Sequence, residues 1–66
     1  MSDRFRPGQL VVPWGGLNYL LLDDGRRVVL RNECLYLVLW HRGSWVRLLG
    51  PDCLLGRAYV TSMVPT

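Results

Sequence analysis

The sequence has too little of several residue types to support most kinds of site chemistry. It has one histidine, His41, and two cysteines, Cys34 and Cys53. The cysteines are too few for a disulfide framework and stand in no C-x-x-C or C-x-x-H spacing, so no zinc site is predicted. His41 has no serine–acid or cysteine partner at a recognisable catalytic spacing. We therefore predict a protein that is not an enzyme and that uses no metal and no cofactor.

Long apolar stretches and helical patterns are also missing. The longest uninterrupted apolar run, 35–40, has six residues, whereas a helix needs about 20 to cross a bilayer. The N-terminal residues are polar and lack the apolar core of a signal peptide. These features predict a soluble, cytoplasmic protein with no membrane partner. Glycine or proline interrupts every stretch that could carry a helical apolar period, so helices are not expected.

The chain is short, and this limits what it can form by itself. Its 66 residues are half apolar, which is a globular composition, but they are too few for a Rossmann fold or a TIM barrel. A chain of this size buries only about 60% of its unfolded surface. A partner or an oligomer is therefore expected to add to its stability.

Short apolar runs separated by turn residues predict a small all-β domain. Asp24-Gly25 is predicted to form a type I′ hairpin turn, and 41–44 a second tight turn. Residues 61–63 are predicted to form a short 3-10 turn. The expected division is an N-terminal arm over 1–7 and a single barrel domain over 8–64. The predicted extended runs are 8–12, 18–22, 27–30, 35–40, 45–49 and 54–60.

The run 35–40 is apolar at every position. A regular strand places Tyr36, Val38 and Trp40 on one side and the three leucines on the other. Because both sides are apolar, we expect both to be covered.

Three segments resemble the bacterial type of Src-homology-3-like barrel. Residues 5–11 are similar to the opening of such barrels, with an aromatic, a glycine, a polar residue and an apolar strand. Residues 37–39, leading across a polar loop into 45–48, resemble its central hairpin. Residues 56–58, with Met63 beyond them, resemble its closing segment, except that Arg57 stands where an aromatic is usual. The resemblance implies a five-stranded barrel, but without the acidic, tyrosine-rich loop and the proline-tyrosine pair of barrels that bind proline-rich peptides.

A shorter segment, 36–46, resembles the barrel that closes retroviral-type integrases. In that family a tryptophan, a basic residue and a glycine turn link two strands, and the barrel surface contacts DNA. This resemblance implies a DNA-binding surface, whereas the longer one implies only the fold.

The tryptophans and tyrosines outnumber what a core of this size can bury. Exposed aromatic side chains with arginine nearby are typical of protein contact sites. The main hypothesis is therefore a non-enzymatic interaction module that binds a protein segment or associates with itself, and the 13 leucines favour a homo-oligomer. The candidate partner-binding residues are Trp45, Tyr36, Tyr59, Trp14 and Trp40.

All eight basic residues are arginine, and the net charge is +3. The alternative hypothesis is a nucleic-acid-binding barrel that combines arginines with stacking aromatics. Asp23, Asp24 and Glu33 lie close to several of these arginines and weaken that alternative. The candidate nucleic-acid contacts are Arg26, Arg27, Arg31, Arg42 and Arg47.

Overall fold

The structure, a computed structural model, describes residues 5–66. It contains strands and two short 3-10 turns, at Pro51–Cys53 and Val60–Ser62. The strands are β1 (Leu10–Pro13), β2 (Tyr19–Leu22), β3 (Arg27–Val29), β4 (Tyr36–Arg42), β5 (Trp45–Leu49), β6 (Leu55–Tyr59) and β7 (Met63–Pro65).

The described strands form one antiparallel sheet that curls into a half-barrel. Their order is β3-β2-β6-β5-β4-β1-β7. The predicted all-β class is confirmed, as is a 3-10 turn near the C-terminus. The predicted count of five strands is wrong, because seven are found. A strand of three residues lies at each edge of the sheet. These two short edge strands raise the number of strands above the five of the implied barrel.

One face of the curled sheet forms the core. Side chains alternate along the strands, so that every second residue of β5 and β6 is buried. This alternation is expected of a sheet with one packed face and one open face. The open face is called the outer face below. The buried core residues are Phe5, Val11, Leu20, Leu22, Leu30, Tyr36, Val38, Val46, Leu48, Ala58 and Met63.

A bulge in β4 changes which side chains reach the core. Val38 lies opposite Leu48, but the next pair in the ladder is Trp40 with Arg47, so the residue between is extra. A bulge of this kind shifts the alternation by one residue. Trp40 therefore faces the same side as Arg47, which is the outer face. The predicted placement of Trp40 beside Tyr36 and Val38 is wrong for this reason.

Both predicted tight turns are present, but the first differs in type. Leu22 accepts a hydrogen bond from the Gly25 N–H at 3.0 Å and donates to the Arg26 carbonyl at 2.8 Å. Gly25 has φ 91°, whereas Asp24 is not in the left-handed region. A type I′ turn needs positive φ at both positions, so the hairpin closes by another turn. The β4–β5 hairpin has the two-residue loop Gly43-Ser44.

The predicted N-terminal arm belongs in part to the packed domain. Residues 1–4 lie outside the described residues, but Phe5 is 1% exposed and packs in the core. The Gly8 N–H donates to the Val38 carbonyl at 2.8 Å. At the other end, the Thr66 N–H donates to the Leu10 carbonyl at 3.2 Å. Phe5 and Thr66, which lie just outside the predicted range 8–64, therefore both contact the sheet.

Candidate functional site

The outer face of strands β3, β2, β6, β5, β4 and β1 brings arginines, aromatics and leucines into rows. Residues directly opposite each other on neighbouring strands share a face. This rule places the outward side chains in the following cross-strand rows. The first row is Arg27, Leu21, Arg57, Arg47 and Trp40; the second is Tyr59, Trp45 and Arg42; the third is Leu55, Leu49, Leu37 and Leu10.

Trp45 and Tyr59 form a stacked aromatic pair on this face. Their ring centroids are 4.3 Å apart and their planes differ by 23°. Tyr59 is 54% exposed, and Trp45 is half-buried. The strand register puts them directly opposite each other on β5 and β6. The pair presents a flat apolar surface with a polar edge, which is the composition of protein contact sites.

Three arginines lie over aromatic rings of the same face. The guanidinium carbon of Arg57 is 4.9 Å from the centroid of a Trp45 ring. Arg42 lies 5.0 Å from the Trp40 centroid in the same way. These distances are within the range of cation–π attraction, about 6 Å. The third such pair is Arg27 over Tyr19, at 5.5 Å.

Three other arginines are neutralised by carboxylates. Arg47 forms two hydrogen bonds with Asp23, at 3.0 and 2.7 Å. By contrast, within residues 5–66 no salt bridge involves Arg27, Arg42 or Arg57. The remaining neutralised pairs are Arg26 with Asp24 at 2.7 Å and Arg31 with Glu33 at 2.9 Å.

The candidate nucleic-acid contacts therefore fall into two groups. Arg26, Arg31 and Arg47 already have carboxylate partners, as the neighbouring acids indicated. Arg27 and Arg42 lie over aromatic rings. A further arginine of this second kind, Arg57, was not predicted as a contact, since in the sequence it stands out only as a departure from a family pattern. In β6, buried and exposed residues alternate, and Arg57 is one of the exposed ones, which places it on the outer face.

The candidate partner-binding residues lie in three different places in the structure. Tyr36 is 3% exposed and belongs to the core, and its hydroxyl accepts a hydrogen bond from the Arg31 N–H at 3.1 Å. Trp14 is 65% exposed on the loop after β1, where its backbone N–H donates to the Ser62 carbonyl. Trp14 therefore lies beside the second 3-10 turn, apart from the rows of the outer face. Trp40, Trp45 and Tyr59 remain as the aromatics that the structure brings together there.

The bidentate contact with Arg47 affects the ionisation of Asp23. The hydrogen bond from Arg47 is the main cause that lowers the pKa of Asp23 below its ordinary value, and desolvation opposes it. Arg26 lowers the pKa of Asp24, first through its backbone N–H and then through its side chain. Because both carboxylates are charged at neutral pH, they keep their arginines neutralised there.

We expect Asp23→Asn to lower stability at neutral pH and to have no effect in acid. The folded-state pKa of Asp23 is depressed, so its contribution is present above the unfolded carboxyl pKa of about 3.9 and disappears as pH falls through the folded value. Chemical unfolding of both proteins between pH 7 and pH 2 measures the difference. Asp52→Asn is the control, because among the described residues Asp52 forms no salt bridge. A difference that persists at pH 2 would contradict this assignment.

A shallow depression of about 300 Å³ lies beside the β2–β3 hairpin. Asp23, Asp24 and Arg26 line it together with Cys53. Both carboxylates are engaged by arginine, and no cluster of three or more metal-ligating side chains occurs in the described part of the chain. Cys34 and Cys53 are both free thiols. The outer face, rather than this depression, is therefore the candidate site.

Comparison of the chain with family models, with curated proteins and with solved structures gives no significant match. Over residues 5–66, the structure has no helix with the length and apolar character needed to cross a membrane.

Proposed function

We propose that this chain is a non-enzymatic interaction module that binds a protein segment through its outer face. The observation that carries the proposal is the stacked Trp45–Tyr59 pair, which lies on the side of the sheet opposite the core with Tyr59 54% exposed. Tryptophan, tyrosine and arginine are the residues enriched at the centres of protein interfaces. We also propose a cytoplasmic location, from the polar N-terminal residues, and a fold related to the Src-homology-3-like barrel, as the sequence resemblance implies.

A protein segment fits this face better than the other occupants. Leu49 and Leu55 stand opposite each other on the same face, separated from the aromatic pair by the Arg47–Arg57 row. Aliphatic side chains of this kind favour a protein ligand over a nucleic acid. A second copy docking face to face would bring together the arginines that have no salt bridge within residues 5–66. Like charges placed together disfavour such an arrangement.

The second candidate function is binding of single-stranded nucleic acid. Its support is the cluster of arginines over rings, since stacking surfaces next to guanidinium groups bind bases and phosphates. Among the arginines predicted as nucleic-acid contacts, only Arg27 and Arg42 lie over aromatic rings. If this function holds, the affinity for a dT oligonucleotide falls as salt rises, with a log–log slope of about 0.7 per phosphate contacted.

We expect Tyr59→Ala to weaken binding of a peptide ligand by about 30-fold, because truncation of a central aromatic contact commonly costs about 2 kcal/mol. The ligand is a peptide selected on the wild-type protein from a displayed random library. Its Kd is measured for both proteins by fluorescence anisotropy. Trp14→Ala is the matched control, because Trp14 is exposed but lies apart from the outer face.

The control should bind within about twofold of wild type, and thermal unfolding should show that both variants fold. A selected peptide that binds Tyr59→Ala and wild type equally would contradict the proposed surface. A salt-dependent affinity for the dT oligonucleotide that exceeds the affinity for every selected peptide would favour the second candidate.

A further inference from the structure

The two edges of the sheet differ in what their backbones offer. At β7, the hydrogen bonds from Trp14 N–H to Ser62 and from Thr66 N–H to Leu10 fix which residues face β1. In an antiparallel ladder, alternate residues turn their N–H and C=O groups inward and outward. Met63 and Pro65 are then the outward-facing residues. Proline has no N–H, and the Met63 N–H donates to the Val60 carbonyl, so this edge presents no free donor.

The β3 edge is open. The Leu22 N–H donates to the Arg26 carbonyl, and the Leu30 N–H donates to the Asn18 carbonyl, both at 2.8 Å. Leu20 lies opposite Val28. Together with these bonds, this register shows that the backbone N–H and C=O groups of residues 26, 28 and 30 face β2. The N–H and C=O groups of Arg27 and Val29 therefore face away from β2. Within residues 5–66, β3 pairs with β2 alone.

The side chains at this edge indicate the charge of a partner. Arg27 and Val29 lie on the outer face, and Val29 is 45% exposed. The flanking Arg26 and Arg31 have their own carboxylates within two residues along the chain. Arg27 lies over the Tyr19 ring and has no such partner among the described residues. Opposite charges on neighbouring strands stabilise pairing, so an acidic residue fits beside Arg27.

We propose that the β3 edge is a strand-addition site for an extended acidic segment of a partner protein. An antiparallel strand there makes four backbone hydrogen bonds, two with Arg27 and two with Val29. Its side-chain pattern is an apolar residue opposite Val29, any residue, and then an acidic residue opposite Arg27. This inference rests on the proposed function in taking the chain to bind a protein segment, but it uses the sheet edge rather than the Trp45–Tyr59 pair.

A partner segment fits the edge better than a second copy does. Two β3 strands paired antiparallel through the same backbone groups place each Arg27 opposite the other copy's Val29. Both guanidinium groups are then left without a carboxylate. An acidic segment supplies that carboxylate and the same backbone bonds.

The test is an NMR titration of the ¹⁵N-labelled protein with two synthetic peptides. The first is threonine-threonine-isoleucine-threonine-glutamate-threonine-threonine, and the second has glutamine in place of glutamate. We expect the largest shifts at the amides of Arg27 and Val29 and an affinity for the glutamine peptide that is about fivefold lower, as for a lost charge-assisted bond.

Three variants separate the edge from the rest of the protein surface. Val29→Pro removes an outward N–H without removing a β2–β3 hydrogen bond, and proline is tolerated at such edge positions. We expect Val29→Pro to lower the affinity for the glutamate peptide about tenfold. Val29→Ala, which keeps the N–H, should lower this affinity less. Arg6→Glu makes the same kind of charge change at an exposed residue before β1, which four strands separate from β3 in the sheet, and should leave the affinity within about twofold. The amide spectra of all three variants show whether they fold.

Three results would overturn the inference, and they have different consequences. Equal affinity for the two peptides would remove the acidic preference. Unchanged binding by Val29→Pro with shifts at Trp45 and Tyr59 would leave the proposed function intact and reject the edge. A wild-type dimer that Val29→Pro converts to a monomer, measured by sedimentation, would assign the edge to a second copy of the chain. If the edge peptides do not bind, the proposed function is unaffected, because it is tested separately by Tyr59→Ala and a selected ligand.

Discussion

Gly56→Ala is expected to lower the free energy of unfolding by about 3 kcal/mol, at the upper end of overpacking effects. Gly56 lies on β6 opposite Leu22 of β2 and Leu48 of β5. A Cβ at this position would be 2.6 Å from the Leu21 carbonyl oxygen and 2.8 Å from the Leu20 Cγ. The carbonyl is part of the sheet backbone and cannot move aside without separating β2 from β6.

The measurement is urea unfolding followed by tryptophan fluorescence, and Gly16→Ala is the matched control. Gly16 is a loop glycine without positive φ, and a Cβ added there would meet no atom within 4 Å beyond its chain neighbours. Alanine there should change stability by less than about 1 kcal/mol. Equal midpoints for the two variants would show that β2 and β6 are not packed as closely as described.

Gly56 also explains how the outer face is assembled. The β6 strand lies between β2 and β5 in the sheet, although β2 and β6 are far apart in the chain. This close approach puts Arg57 in one row with Arg47 and Leu21. If Gly56→Ala separates the strands, the Asp23–Arg47 ion pair between the β2–β3 turn and β5 should be lost with them.

Much of the strand pattern could be predicted from the sequence because turns are local. Gly25 and Gly43 mark the two hairpins, and both turns are present at those glycines. The bulge in β4 has no comparable signal, since every residue of 35–40 is apolar and none marks the extra position. A one-residue shift turns every later side chain of the strand to the other face. The orientation of Trp40 was therefore beyond what alternation alone could predict.

The candidate site could be predicted only in part, for a related reason. Aromatic content indicated an exposed surface, but composition does not say which aromatic is buried. Tyr36 and Tyr59 are both strand residues, yet Tyr36 is 3% exposed and Tyr59 is 54% exposed. They differ in the face that they occupy: Tyr36 shares the core side of β4 with Val38, whereas Tyr59 alternates with the buried Ala58 of β6. Residue type does not indicate that face. The contact between Arg47 and Asp23 was also beyond local prediction, because they are 24 positions apart in the chain, whereas the pairing of Arg26 with Asp24 is local.

The second large effect is expected for Phe5→Ala, with a loss of about 3 to 5 kcal/mol in the free energy of unfolding. Phe5 is 1% exposed, in the core, and its ring packs edge-on against His41 at 5.5 Å between centroids. Removing the ring leaves a cavity and takes away packing from the inward side of β4 after the bulge. A chain of this length has about 3 to 10 kcal/mol of total stability, so most of the variant should be unfolded or close to it at 25 °C.

Circular dichroism during thermal unfolding measures this loss, and Leu17→Ala is the control. Leu17 is also a large apolar residue, but it is 69% exposed, so its truncation should change stability by less than about 0.5 kcal/mol. Phe5→Leu should recover part of the loss, because a smaller cavity remains. If Phe5→Ala unfolds at the same temperature as wild type, residues 5–7 form an arm, as the sequence predicted. If it unfolds as expected, the N-terminal segment closes one side of the core, and the outer face depends on it for a rigid support.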